Sequence, residues 1–202
     1  NSKADTDNSK YYSNDEGILS IMYHRFNESK YPSTNIQMDI FEEHMKMLYE
    51  AELIFAEQGS VPSMTTVATF YSRGWHVTRN IEEANNWFYR AAVSGDLESQ
   101  MHMAMSYYHG INELEQSCEE AFKWFNFAHG YHPENQEVLN RLAWCYWKGE
   151  GTKKDYKQSL KFYEILSKKG DAGAMCMMGL LYYDGEGGIE QNYNKAVKFW
   201  KS

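Results

Sequence analysis

The chain has 202 residues, 43% of them apolar, enough for one or two ordinary domains with a sizeable core. Its 20 Lys and Arg against 28 Asp and Glu leave a net charge of -8, a sign that repels nucleic acid and anionic lipid. No apolar run approaches ~18 residues, which excludes a membrane span, and Cys118, Cys145 and Cys176, odd in number and without a CxxC pair, argue against a disulfide framework.

The first element predicted is a polar, extended arm over residues 1–38. Its start, NSKADTDNSKYYSNDEG, has the composition of a linker and begins with Asn rather than Met, as would follow a removed signal or an expression cut, and a periplasmic or secretory compartment is expected ahead of a cytoplasmic one. Ile18 to Tyr23 is apolar enough for one buried parallel strand. Asn27-Glu28-Ser29 is a glycosylation sequon, meaningful in a secretory pathway. Residues 39–59 follow as an amphipathic helix carrying Phe41, Met45, Leu48 and Phe55, placed to cap the apolar edge of the remainder.

From residue 60 to 202 the chain is periodic, with units 60–96, 97–134, 135–171 and a shorter 172–202. Small residues and rings recur in phase: Ala84 and Trp87, Ala121 and Trp124, Ser159 and Phe162, Ala196 and Phe199, at steps of 37, 38 and 37. A second register pairs Tyr71 with Gly74, Tyr107 with Gly110, Tyr146 with Gly149 and Tyr182 with Gly185. Six residues before each of those glycines stands Ala68, Ala104, Ala143 or Gly179, where a partner helix can approach closely. Ala84, Trp87, Phe88 and Ala91, like Ala121, Trp124, Phe125 and Ala128, hold the i, i+3, i+4, i+7 spacing of a helical stripe. Each unit therefore reads as two short helices, with Trp87, Trp124, Phe162 and Phe199 as core rings. Trp124→Ala is expected to damage the fold more than any surface charge change.

Gly149-Glu150-Gly151 reads as the joint of such a hairpin. A left-handed glycine stops the first helix, Asp155 caps the next as Asn80 does in the first unit, and a phosphate loop would want a Lys-Ser/Thr pair where this loop has a carboxylate.

The pattern small-x-x-x-Leu-Gly-x-x-Tyr-x-x-Gly-x-Gly, an Asp, then Ala-x-x-Trp-x-x-x-Ala-Ala-x-x-Gly-Asp resembles the Sel1-like repeat, a relative of the tetratricopeptide repeat. AMCMMGLLYYDGEGGIEQNYNKAVKFW (174–200) and NIEEANNWFYRAAVSGD (80–96) carry it most clearly. Ile111-Asn112 departs from it at the second glycine, and Ser159 and Leu166-Ser167 depart from its alanines. The resemblance implies an all-α solenoid of stacked antiparallel hairpins in a right-handed superhelix, binding other proteins on its concave face. With the fourth unit stopping inside its second helix, the array is expected to continue in a longer parent. Gly17 to Leu48 is similar to the opening of bacterial polysaccharide deacetylases, but the Phe-Asp-Asp-Gly and His-x-x-x-His/Ser motifs of that family do not occur. No catalytic residue is carried over, and His24 reads as a packing residue.

The function expected is that of a non-catalytic adaptor, using no cofactor or metal, that binds a protein or peptide segment through first helices lining the concave face. Met101, Tyr108, Trp147 and Tyr183 are its candidate contacts. Neither nucleic acid nor a small-molecule substrate is expected. The alternative is a cell-envelope polysaccharide-processing protein, with a deacetylase-like piece joined to the repeats. His129 and His132, beside Pro133, lack the further ligands of a metal site and read as loop histidines. Glu82-Glu83 and Glu119-Glu120 fall where they favour a helix N-terminus.

Overall fold

The computed structural model describes residues 38–201. A first helix, α1, covers Met38–Glu57. Four helix pairs follow: α2 (Val61–Arg73) with α3 (Ile81–Val93), α4 (Leu97–His109) with α5 (Cys118–Tyr131), α6 (Gln136–Lys148) with α7 (Tyr156–Lys168), and α8 (Ala172–Asp184) with α9 (Tyr193–Lys201). Within the array each first helix packs on its own second helix, and each second helix packs on the first helix of the next pair. Among the described residues there is no strand, so the array is the all-α solenoid of stacked hairpins that its period predicts. The predicted arm up to residue 37, its strand, the sequon and His24 lie outside the described residues. Of the deacetylase-like stretch only Met38–Leu48 is described, and it begins α1.

Helices of 13 or 14 residues, as α2 to α8 are, are marginal in water and need capping and neighbours. Asn80, Ser117, Asp155 and Asn192 each accept the backbone N–H three residues on, opening the second helices. Asp96, Asn135 and Asp171 do the same for α4, α6 and α8.

The joint within each pair is built almost identically four times. Gly74, Gly110, Gly149 and Gly185 take φ between 64° and 78°, and Gly149 N–H, for example, donates to the Cys145 carbonyl at 2.8 Å. The chain then folds back so that Asn80, Ser117, Asp155 and Asn192 donate backbone N–H bonds of 2.7–2.9 Å to the carbonyls of Tyr71, Tyr107, Tyr146 and Tyr182. The tyrosine register therefore also marks a backbone bond that clamps the start of one helix to the end of its partner.

The loop tips reach the preceding pair. Gly151, at φ 70°, lies against the Cys118 carbonyl at the start of α5, and a methyl there would run into that oxygen. Asn112 stands at the corresponding place in the second pair and takes φ 55° itself. Its side-chain amide donates to Ser106 Oγ at 2.8 Å, and its carbonyl accepts from Asn85 Nδ2 of α3 at 2.8 Å. Asparagine tolerates this backbone and supplies the bonds a glycine would not. Gly149-Glu150-Gly151 is thus both a hairpin joint and a contact between pairs.

The helices close on one another at small residues. Ala68, Ala104 and Ala143 are fully buried, and a methyl on Gly179 would collide with the Trp200 indole. Ser159, where the other pairs have alanine, is fully buried with its hydroxyl unpartnered.

The rings of the Trp87, Trp124, Phe162, Phe199 register pack at different depths. Trp87 alone is buried, whereas Trp124, Phe162 and Phe199 are half-buried. Consecutive helical residues point ~100° apart, and the next ring along turns toward the following pair. Phe125 is buried with Val138 and Leu142 of α6, and Tyr163 with Ala174 and Met178 of α8. The earlier ring stays nearer its own hairpin: Phe162 stacks on Tyr146 at 5.9 Å and Phe199 on Tyr182 at 5.8 Å.

Phe125→Ala should therefore cost ~3–5 kcal/mol in equilibrium urea unfolding, as buried phenylalanine truncations do, and distinctly more than Trp124→Ala. Equal losses would contradict this assignment. Two glycines should separate in the same assay. Gly151→Ala should lose more than about 1 kcal/mol, having both a strained φ and a backbone collision. Gly130→Ala, inside α5 with open space around it, should gain ~0.5–1 kcal/mol from helix propensity.

Candidate functional site

The inward side of α6 is fixed by Leu139, Leu142, Ala143 and Cys145, all buried. Trp144 and Lys148 fall on the opposite side and are exposed, while half-buried Trp147 stands at its edge, packed against the core of its own pair. Gly149 ends the helix in the left-handed conformation and places Glu150 beside that face.

Glu150 gathers the cluster. Its Oε2 accepts the Tyr108 hydroxyl of α4 at 2.8 Å and the Trp144 indole N–H at 3.2 Å. Acceptance by the carboxylate, followed by burial, holds the Tyr108 hydroxyl above its ordinary pKa. The two indoles lie 5.1 Å apart, and the Lys148 ammonium sits 4.4 Å from the Trp147 ring centre and 5.2 Å from that of Trp144. Such cation–ring contacts are worth ~0.5–1 kcal/mol at exposed sites. The result is an aromatic and charged surface spanning two neighbouring pairs, its side chains tied to one another rather than free to reorient.

Of the four sequence candidates, the structure brings Tyr108 and Trp147 into this cluster. All three of Met101, Tyr108 and Trp147 are half-buried and pack against a core, Met101 and Tyr108 on that of Phe125 and Trp147 on that of Leu139. Tyr183, 47% exposed, belongs to a separate group with Tyr193 at 5.2 Å and Trp200 at 5.8 Å. Trp144, Lys148 and Glu150 escaped the sequence reading. The signal for the first two was present, because they stand three or four residues from Trp147 or each other on one helix face. Glu150 was not legible, since its position depends on the turn at Gly149.

A second surface is formed by α3, α4 and α5. Tyr89, Val93, Tyr107, Trp124 and Phe127 line a shallow groove of about 360 Å³, edged by Glu120 and Lys123. Lys123 is held there by Glu119 at 3.1 Å and Glu120 at 2.8 Å.

Several titratable side chains elsewhere are held in packing contacts. Burial pushes the Cys145 thiol and the Tyr163 hydroxyl up to about 12. His132 Nε2 meets the Gly95 carbonyl at 2.9 Å, and the His129 ring stands edge-on to Phe162 at 5.5 Å. His102 stacks on Phe88 at a ring separation of 4.0 Å, and burial lowers its pKa. Among the described residues no helix is long and apolar enough to cross a membrane.

The profile of the Sel1 repeat matches residues 62–96, 97–128, 136–171 and 172–202. Protein sel-1 homolog 2 of Homo sapiens is 26% identical over 76% of this chain, and its Mus musculus counterpart 25% identical over 76%. The chain spans only 23% of the length of either. Two solved structures are similar. One is c5321, a protective antigen of uropathogenic Escherichia coli strains displaying an SLR fold, with a TM-score of 0.62 and 27% identity over 76% of this chain and 32% of that one. The other is a Sel1 repeat protein of Oxalobacter formigenes, with a TM-score of 0.60 and 25% identity over 79% of this chain and 67% of that one.

The His102 environment predicts a pH dependence with a definite sign. A histidine whose folded pKa is lowered binds protons more readily when unfolded. Stability should thus decline as pH falls through ~6.5, the ordinary histidine value, and level off below the folded pKa. Urea unfolding between pH 7.5 and 5 should show a smaller decline for His102→Gln than for the parent chain. An identical decline would place the pH sensitivity elsewhere.

Proposed function

The chain belongs to the Sel1 repeat family, and from that premise we propose that it is a non-catalytic scaffold holding a segment of another protein on the face built by its first helices. The observation that carries the reading is the double bond acceptance at Glu150. By taking the Tyr108 hydroxyl and the Trp144 indole on one oxygen, Glu150 joins the faces of α4 and α6 into a single pre-ordered surface. Tryptophan and tyrosine dominate binding energy at protein interfaces because they bring large area at small entropic cost. A cluster already held in place loses less freedom on binding than a mobile one. Lys148 adds a cation above the two indoles.

Tyr183 of α8 stands apart from this surface, in an aromatic group with Tyr193 and Trp200 of α9.

A photo-crosslinking residue in place of Trp144, compared with one at exposed Lys161 on α7, tests this in an extract of the cells that make the protein. A discrete protein adduct should form at position 144, and Lys148→Glu on the same chain should reduce it several-fold with helix content unchanged by circular dichroism. Adducts confined to position 161 would overturn the assignment of the face.

A further inference from the structure

α1 carries two apolar faces. Phe41, Met45 and Ala56 are buried. Ile40, Met47 and Ile54 stand seven residues apart, as do Leu48 and Phe55, and all five are between 38% and 61% exposed. At 3.6 residues per turn, a spacing of seven falls just short of two full turns. The five side chains, with exposed His44 and Ala51 among them, therefore lie along one stripe of the helix, about a third of its circumference. An exposed apolar surface of this continuity marks an interaction site more often than a scatter of single residues does.

The polar border of the stripe is charged with one sign. Glu43, Glu50 and Glu57 are exposed and also seven residues apart, so they run as a row beside Ile40, Met47 and Ile54. Lys46 reaches Glu50 at 3.8 Å and is the helix's one basic side chain other than His44, against Asp39 and five glutamates.

We propose that this stripe docks an amphipathic helix of another protein whose apolar seam is flanked by lysine or arginine. Seven-residue spacing of apolar side chains is the repeat that a second helix fits, and charged rows beside such a seam choose the partner. The glutamate row selects a basic flank. A second copy of this chain would bring glutamate against glutamate, and an anionic membrane would meet the same repulsion. The stripe shares no residue with the first-helix face, so either proposal can fail without the other.

Two synthetic helical peptides test it, identical in a leucine seam and differing only in lysine or glutamate at the flanking positions. Measured by fluorescence anisotropy, the full chain should bind the lysine peptide at least about tenfold more tightly. The triple variant Glu43→Lys, Glu50→Lys, Glu57→Lys should reverse that order. Met47→Gln with Ile54→Gln should abolish binding while circular dichroism keeps its helix signal. The proposal is overturned by equal binding of the two peptides, by binding of neither, by concentration-dependent self-association that the Met47→Gln/Ile54→Gln variant abolishes, or by tighter binding to phosphatidylserine vesicles than to the lysine peptide.

Discussion

The array depends on helices meeting where their side chains are smallest. Ala68, Ala104 and Ala143, together with Gly179, bring the backbones of a pair close enough for the large rings nearby to cover both. Ala104 and Ala121 share a cluster with Phe125, so small residues from both helices of a pair surround one ring. A larger side chain at any of these places would push the helices apart and expose the ring whose burial holds them. The joint then follows: only a left-handed residue at Gly149 and its equivalents returns the chain soon enough for the second helix to start against the tyrosine carbonyl.

Each pair is also incomplete without the next. Phe125 and Tyr163 have their burial finished by α6 and α8, and Gly151 rests on the start of α5. At the far end, Trp200 occupies the place that Phe125 and Tyr163 hold in their pairs, and it is 44% exposed. Cooperation between neighbours of this kind is what makes a repeat array stable when a single hairpin is not. It also explains how a surface feature can span pairs: Tyr108 and Glu150 belong to different units, yet the packing beneath them fixes their separation.

Much of this was legible in the sequence because it is periodic. The alanines, the tyrosine–glycine register and the capping residues recur at matched steps, and recurrence separates a joint at Gly149-Glu150-Gly151 from a lone glycine motif. What was not legible needed three dimensions. Spacing cannot decide which of Trp124 and Phe125 points at the next pair, since the two are adjacent and both aromatic. Nor does it show that Asn112 can stand for a glycine, which rests on the bonds it makes to Ser106 and from Asn85. The candidate surface was half legible. Trp147 and Tyr108 were found as aromatic residues of first helices, while Glu150, which links Tyr108 to Trp144, is positioned by a turn.

The central claim is that close approach at small residues makes the pairs support one another. Ala143→Leu tests it most directly, because Ala143 is fully buried at the middle of the array. Native-state hydrogen exchange on that variant should show protection falling in α6 and α7 and also in the flanking α5 and α8. Overpacking a filled core typically costs ~1–3 kcal/mol. Undiminished protection throughout, or a loss confined to α6, would contradict the account.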